Sequence, residues 1–258
     1  MVIDFSVADG VAEIVLNDPA KLNALDEAAL ADLGAAFDRA EKESVRAVIL
    51  RGEGRAFCAG RDISNVTPAT DDAVAYLDGL VTPLLHKISE FQAPTFAVAT
   101  GACLGVGLGL LIACDVVYVA DSAKIGSPFA NLGATLDSGG HALFYERLGA
   151  HRTLDLIYTA ELMTGTEAVQ LGLFSRVFPG AEVLEFTRER ARRVSQGATG
   201  AFLASKKLVH QLRDERVGLW TSMAAENVAQ GELCSSADYA EGFAAFQEKR
   251  RPVFGGSR

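Results

Sequence analysis

The stretch from residue 94 to residue 140 limits the possible folds more than any other part of the chain. It holds nineteen consecutive residues without a charge, Phe96 to Cys114. A run of that length could cross a membrane, and the spacing Gly101-x3-Gly105-x3-Gly109 is typical of packed membrane helices. A glycine-rich turn breaks the run, however, and amphipathic patterns of the soluble kind surround it. We therefore predict a buried strand, a tight turn and a buried helix rather than a membrane span.

A short loop at the end of this stretch carries a single acid. Asp137 lies in Leu136-Asp137-Ser138-Gly139-Gly140, beyond a second apolar strand. Because glycine lets a backbone approach a ligand closely, the stretch could place N–H donors and one carboxylate around a small pocket. Asp137 could equally cap a helix that begins near Gly139.

The charge of the chain argues against nucleic acid as a partner. Its 258 residues can bury a sizeable core, and they carry a net charge of −9 with a pI near 5.0. A general nucleic-acid binder would need a basic face.

No linker divides the chain, so we expect residues 1–195 to form one core and residues 196–258 a helical C-terminal region. The N-terminus lacks a signal-peptide pattern and the four cysteines lack C-x-x-C spacing, which predicts a reduced, cytoplasmic protein.

Hydrophobic periodicity predicts alternating strands and helices in the first half of the chain. Residues 3–8 and 11–17 alternate around Asp9-Gly10, as in a β-hairpin. Strands that alternate with helices imply an α/β fold with a mostly parallel sheet. The other elements predicted in this half are a helix at 26–42 with Asp26 as its N-cap, a strand at 47–50 and a helix at 72–90. The second half is predicted to contain a strand at 174–178 and helices at 140–148, 150–160, 166–171, 182–196, 198–213, 217–232 and 236–248.

Several common kinds of site fail on spacing. The four histidines lack metal-ligand spacing with acids or cysteines, so we expect no metal. Residues 105–109 do not match the dinucleotide pattern G-x-G-x-x-G, and no Gly-Lys-Ser/Thr supports a P-loop. Cys58 and Cys103 show no pairing with a histidine, so we expect small core residues rather than thiol nucleophiles.

Five short motifs, in register over nearly the whole chain, resemble the enoyl-CoA hydratase/isomerase family, also called the crotonase superfamily. Each motif is weak alone, and their common order carries the resemblance. They are Asn23-Ala24-Leu25; Phe57-Cys58-Ala59-Gly60-x-Asp62-Ile63; Gly105-Val106-Gly107 leading to Ala113-Cys114-Asp115; Thr164-Gly165 with Ala168 and Gly172-Leu173; and Glu248-Lys249-Arg250-x-Pro252-x-Phe254.

The resemblance implies a ClpP/crotonase-like spiral of ββα units that binds acyl-CoA thioesters. It also implies a homotrimer or a dimer of trimers, with the C-terminal helices as a trimerisation or lid region. No separate cofactor is expected, because coenzyme A is part of the substrate. In this family two backbone N–H groups bind the thioester oxygen and stabilise an enolate. The matching donors here are the N–H groups of Arg61 and Val106, and Val106 opens a helix whose positive end favours an anion.

Family hydratases add water with two glutamates, and this chain has Gly109 and Phe129 at the matching positions. Asp137 is similar in position to the aspartate of family isomerases of the ring-1,2-epoxyphenylacetyl-CoA type, although Leu136 replaces their proline. We therefore predict an acyl-CoA isomerase with Asp137 as its single base. We expect Phe129, Leu132 and Leu136 to form an apolar wall that raises the pKa of Asp137 by desolvation. Hydration, thioester hydrolysis and a catalytically silent acyl-CoA-binding protein are the alternatives.

The resemblance also marks residues that would hold the thioester and the CoA. We expect Lys21, Ala24 and the loop Ala59–Ile63 to contact adenine and pantetheine, and Lys249 to reach a phosphate from a neighbouring subunit. Asp62 could instead hold the oxyanion loop, Asp115 could hold a helix-to-strand junction, and Lys249 could belong to a solvated basic C-terminus. The predicted substrate-binding set is Lys21, Ala24, Ala59, Gly60, Asp62, Ile63, Gly105, Phe129, Leu132 and Lys249.

Overall fold

A large, mostly parallel sheet and a smaller three-stranded sheet lie at the centre of the molecule. The structure is a computed structural model that describes residues 2–67, 71–215, 227–228, 230–231 and 236–255. Within these residues the strands are β1 (Ile3–Ala8), β2 (Val11–Leu16), β3 (Ala47–Gly52), β4 (Thr95–Ala99), β5 (Ala102–Leu104), β6 (Val116–Ala120), β7 (Lys124–Gly126), β8 (Met163–Thr164) and β9 (Arg176–Phe178). The large sheet has the order β1-β2-β3-β4-β6-β9 and the small sheet the order β5-β7-β8. In the large sheet β1 pairs antiparallel to β2 and the other pairs are parallel, so the predicted α/β architecture is confirmed.

The helices follow the periodicity of the sequence, with two differences. Those described are α1 (Glu27–Lys42), α2 (Ala73–Tyr76), α3 (Thr82–Ser89), α4 (Val106–Ala113), α5 (Gly140–Thr159), α6 (Gly165–Gln170), α7 (Val183–Ser195), α8 (Thr199–Glu215) and α9 (Ala237–Glu248). The helix predicted at 72–90 contains a π-helical turn at Leu77–Val81. The two helices predicted after Gly140 form one helix, α5, with a kink at Gly149. Most of the helix predicted at 217–232 lies outside the described residues.

Local turn and cap chemistry explains where the first elements begin. Asp9 and Gly10 both have positive φ, 53° and 73°, which is the geometry of the type I′ turn that suits a two-residue hairpin. The side chain of Asp26 accepts a hydrogen bond of 2.8 Å from the N–H of Ala29, as expected of an N-cap. Both predictions are confirmed.

The chain repeats one path, which makes the structure a spiral of ββα units. A strand of the large sheet leads to a segment of the small sheet and then to a helix, as in β4, β5 and α4. In the preceding unit β3 leads to Cys58, which forms a parallel bridge with Cys103 of β5, and then to α2 and α3. In the following unit β6 leads to β7 and then to α5. Because parallel neighbours end at the same edge, the loops after Cys58, β5 and β7 come together.

The long apolar run is a core segment. Seven of the eight residues of α4 are buried, and β4 is buried throughout. Among the described residues, no helix combines the length and the hydropathy needed to span a bilayer. The run therefore forms a strand, a turn and a central helix, as predicted.

Candidate active site

Two loops approach each other at the carboxyl edge of the small sheet. The first turns at Gly60, where φ is +100°. A Cβ atom at residue 60 would lie 2.9 Å from the carbonyl oxygen of Leu104 and 3.7 Å from the nitrogen of Val106. Only glycine permits this approach without displacing backbone. The segment Gly60–Arg61 therefore runs beside the N-terminus of α4.

The two predicted donor N–H groups make no hydrogen bond within the described part of the chain. The N–H of Leu25 donates to the carbonyl of Gly60 at 2.8 Å, and the N–H of Asp62 donates to the carbonyl of Leu25 at 2.9 Å. In this parallel bridge the intervening N–H of Arg61 points away from Leu25. Val106 is the first residue of α4, where an N–H has no carbonyl within the helix to bond. Both groups are chemically able to receive an anion.

The side chain of Arg61 holds the next segment of the chain. Its guanidinium donates two hydrogen bonds to the carboxylate of Asp71, at 2.7 and 2.9 Å. The same guanidinium lies over the ring of Tyr76, with its central carbon 3.9 Å from the ring centroid. The start of α2 is thus fixed to the loop that carries the Arg61 N–H. Neither Asp71 nor Tyr76 was predicted as a site residue.

Asn23, from the first family motif, holds the beginning of the loop that leads to Arg61. Its side chain is fully buried. Its amide nitrogen donates to the carbonyls of Glu53 and Ala56, at 3.0 and 2.8 Å, and its amide oxygen accepts from the N–H of Asp18 at 2.9 Å. One side chain therefore joins the backbone at residue 18 to the loop of residues 53–56, a role that the motif alone did not indicate.

Asp137 is half-buried and lies beside the first turn of α4. A Cβ atom on Gly109 would lie only 2.6 Å from the Cβ of Ser138, so the Asp137 loop packs directly on the helix. Residue 109 is three residues beyond Val106, about 4.5 Å along the helix axis. Ser138 Oγ donates to Asp137 Oδ1 at 2.8 Å. Burial raises the pKa of Asp137, and it outweighs the opposing effects of the Ser138 hydrogen bond and of the charge of His141.

The alternative in which Asp137 caps a helix is wrong. The N-cap of α5 is Gly139, and no side chain hydrogen-bonds there. The backbone carbonyl of Asp137, not its carboxylate, accepts from the N–H of Gly140 at 2.9 Å. The acid is therefore not occupied by helix capping.

The predicted apolar wall is only partly present. The ring of Phe129 packs on Gly105, where a Cβ atom would lie 2.9 Å from the ring carbon Cζ. Leu136 is buried and packs against Gly140. Leu132, however, is 64% exposed on this chain, so the prediction that it belongs to the wall is wrong. The short 3₁₀ turn Pro128–Leu132 directs Leu132 outward while Phe129 covers the helix N-terminus.

Lys21 and Asp62, from the predicted substrate-binding set, form an ion pair at 2.7 Å. The Lys21 ammonium, with a further hydrogen bond from Ser64, holds the pKa of Asp62 far below its usual range. A carboxylate whose pKa is lowered in this way is a weak proton acceptor, and its ion pair braces the loop, so the structural alternative for Asp62 is supported.

Other residues of the predicted substrate-binding set lie at different distances from this loop. Ala24 and Ala59 lie on the two sides of the same loop pair, with the N–H of Ala59 donating to the carbonyl of Leu22 at 3.0 Å. Ile63 is 55% exposed at the mouth of the loop. Lys249 lies exposed beyond α9, and within the described residues it forms no hydrogen bond or ion pair with the site.

The remaining candidate groups have structural partners. Asp115 accepts hydrogen bonds from the backbone and side chain of Thr95 and from Lys206, at 2.8 to 3.0 Å, so its predicted structural role is confirmed. Burial raises the pKa of the Cys58 thiol to about 12 and that of Cys103 well above its usual range. Thiols that remain protonated are poor nucleophiles, in agreement with their prediction as core residues.

A large cavity of about 1460 Å³ lies at the other end of α4. It is lined by the last residues of that helix, by α5 and α8, and by the ion pair Asp115–Lys206. Neither Asp137 nor the residues 61 and 106 line this cavity. The groups able to do chemistry are those at the N-terminal end of α4.

Comparisons with known proteins extend over the whole chain. The sequence model described as enoyl-CoA hydratase/isomerase matches residues 6–257. The chain is similar to a probable enoyl-CoA hydratase of Rhodobacter capsulatus, at 35% identity over 98% of each chain, and to the 2,3-dehydroadipyl-CoA hydratase of Escherichia coli, at 31% identity over 94% of each. A crystal structure of enoyl-CoA hydratase from Bacillus anthracis matches with a TM-score of 0.91 at 29% identity, over 100% of both chains. The chain therefore has the crotonase fold and is an enzyme of the enoyl-CoA hydratase/isomerase family.

Proposed function

We propose that this enzyme is an acyl-CoA isomerase that moves a double bond from C3 to C2 of the acyl chain, with Asp137 as its single base. The observation that carries the proposal is the position of the Asp137 loop. Ser138 packs over Gly109, so the loop that carries the half-buried Asp137 lies on the first turn of α4. The N–H of Val106 at the start of this helix and the N–H of Arg61 beside it make no hydrogen bond within the described residues.

Each step of the reaction uses one of these groups. Asp137 removes a proton from C2, and the electron pair moves into the thioester to form an enolate. The Arg61 and Val106 N–H groups hold the enolate oxygen, where fixed donors are worth about 3–4 kcal/mol each in the transition state. The C3–C4 double bond then shifts to C2–C3 as the protonated Asp137 returns the proton to C4. The proton removed from C2 returns to the substrate at C4, so the reaction needs no second acid and no cofactor.

Hydration would require groups that this site does not offer at the positions matched by the resemblance. A side chain at residue 109 would collide with Ser138, and residue 129 presents an aromatic ring. The relatives described above are nevertheless named as hydratases. A direct comparison of substrates is therefore the decisive experiment.

Three substrates separate the candidate activities. With 3-enoyl-CoA we expect conjugation of the double bond, which is followed by the absorbance of the 2-enoyl thioester. With 2-enoyl-CoA we expect no accumulation of the 3-hydroxy product, and ring-1,2-epoxyphenylacetyl-CoA tests the related ring rearrangement by product mass and retention time. Rapid water addition to 2-enoyl-CoA without double-bond migration would overturn the proposal in favour of a hydratase.

The pH dependence should report the ionisation of Asp137. Burial raises its pKa above the ordinary value of 3.8, and only the ionised form can take a proton. We therefore expect kcat/KM for 3-enoyl-CoA to fall as the pH is lowered through that raised pKa. Ser138→Ala removes a hydrogen bond that lowers the pKa, so it should move the inflection to higher pH. An inflection at or below 3.8, or a shift in the opposite direction, would contradict the assignment of the base.

The proposal includes assembly into a homotrimer or a dimer of trimers, with an acyl-CoA thioester as ligand. Large apolar side chains that are exposed on the single chain concentrate on α5 and α8, and a partner copy would cover them. Lys249 could then serve the CoA of a neighbouring subunit. Sedimentation equilibrium should give three or six chain masses, and a monomer would contradict the proposal. Those on α5 and α8 are Tyr145, Leu154, Tyr158, Phe202, Val209 and Leu212.

A further inference from the structure

Tyr76 is built into the wall of the candidate site. It is the last residue of α2 and only 6% exposed. Its ring lies against the Arg61 guanidinium at 3.9 Å, and that guanidinium is itself held by Asp71. The ring is therefore fixed to the residue whose backbone N–H is proposed to hold the thioester oxygen.

The hydroxyl group of Tyr76 is a buried donor without a partner. It makes no hydrogen bond within the described part of the chain. Buried polar groups are paired in the large majority of cases, and leaving one unpaired destabilises the folded state. The contact of its ring with Arg61 places Tyr76 beside the site, and the charges of Arg61 and Asp137 both act on the hydroxyl.

The hydroxyl keeps its proton and is able to donate it in a hydrogen bond. Burial raises the pKa of Tyr76 to about 12, so the phenol keeps its proton at any pH at which the enzyme would work. The Asp137 carboxylate is already bonded by Ser138 at Oδ1. A hydrocarbon acyl chain offers no acceptor to a phenol, whereas an oxygen atom in the chain does.

We propose that Tyr76 is a specificity-determining residue whose hydroxyl donates a hydrogen bond to an oxygen atom carried by the acyl group. The preferred ligand is then an acyl-CoA oxygenated near its reacting carbons rather than one with a plain hydrocarbon chain. This inference rests on the proposed function, because it assumes that the acyl group lies between Asp137 and the two N–H groups.

Equilibrium binding of unreactive ligands tests the inference without turnover. Hexanoyl-CoA is compared by calorimetry with three ethers of the same length, in which oxygen replaces the methylene at C3, C4 or C5. We expect the wild-type enzyme to bind one ether more tightly than hexanoyl-CoA. Tyr76→Phe should weaken that ether by roughly tenfold, the value of one good hydrogen bond, and leave hexanoyl-CoA within about twofold.

The matched control is Tyr118→Phe. Tyr118 is also a buried tyrosine, but its ring packs against Phe96, Phe178 and Phe186 in the core. Its loss should leave the ether preference unchanged. Equal weakening of all four ligands by Tyr76→Phe, no effect of Tyr76→Phe on any of them, or no ether preference in the wild type would each overturn the inference.

The two proposals fail separately. If the wild type prefers an ether through Tyr76 but does not shift the double bond of 3-enoyl-CoA, the isomerase proposal is wrong and the assignment of the hydroxyl stands. If isomerisation occurs but the preference is absent, the reverse holds.

Discussion

Replacing Asp137 with asparagine is expected to lower kcat for double-bond migration by about 10²- to 10⁴-fold, the usual contribution of a general base. Asparagine keeps the size and the hydrogen-bonding capacity of the side chain but cannot accept the C2 proton. Because the oxyanion donors are backbone groups on other segments, the binding of a saturated acyl-CoA should stay close to that of the wild type. Single-turnover kinetics with 3-enoyl-CoA and calorimetry with hexanoyl-CoA measure the two effects independently.

The stability of the same variant provides its control. The folded-state pKa of Asp137 is raised, so below the ordinary pKa of 3.8 the native state is not penalised for burying this group. As the pH rises through the raised pKa, the native state must carry a buried charge, and its stability falls. At neutral pH the asparagine variant should therefore melt at the same temperature as the wild type or higher. Turnover near the wild-type rate would contradict the assignment, whereas a variant that is unfolded at the assay temperature would trace the lost activity to misfolding.

The sequence predicted elements well where a long segment repeats one period. Helix α1 has sixteen residues with a regular apolar face and begins at its predicted cap. The small sheet was not predicted, because β5 and β7 have three residues each and β8 has two. Such short strands have too few residues to show alternation, and their pairing is fixed by segments distant in the chain. The kink at Gly149 and the π-helical turn in 77–81 likewise depend on packing rather than on local pattern.

The residues of the candidate site also differ in whether the sequence could predict them. The resemblance pointed to Arg61, Val106 and Asp137, whose motifs are local, and the structure brings the three segments to one end of α4. Asp71 and the ring of Tyr76 are held at the site by the side chain of Arg61. Within the sequence they belong to an ordinary amphipathic helix and its approach, so no local signal sets them apart.

The glycine at residue 109 shows why a local pattern can mislead. In sequence it belongs to a glycine-rich run that resembles a helix-packing motif. In the structure it meets Ser138, the residue after the proposed base. Its small size therefore serves the approach of a catalytic loop to α4, a contact between segments about thirty residues apart that periodicity cannot reveal.

Replacing Val106 with proline is expected to lower kcat/KM for 3-enoyl-CoA by about 10²- to 10³-fold, the effect of losing one oxyanion donor. Proline deletes the N–H of Val106 and suits the first position of a helix, where its fixed φ is already helical. The preceding residue, Gly105, has φ 53° and ψ −120°, which is outside the helical region that a following proline disfavours. Helix α4 should thus begin at the same residue in the variant.

Val106→Ala separates the loss of the N–H from the loss of the side chain. Val106 is 2% exposed, so both variants remove buried methyl groups and both should lower the melting temperature. Only the proline variant removes the donor, and kcat/KM of the alanine variant should stay within a few-fold of the wild type because its enolate is still held by two N–H groups. Circular dichroism and thermal melts establish that both variants are folded before the rates are compared. Equal rates for the two variants would mean that the Val106 N–H does not stabilise the transition state, and the oxyanion would then have to be held by other groups.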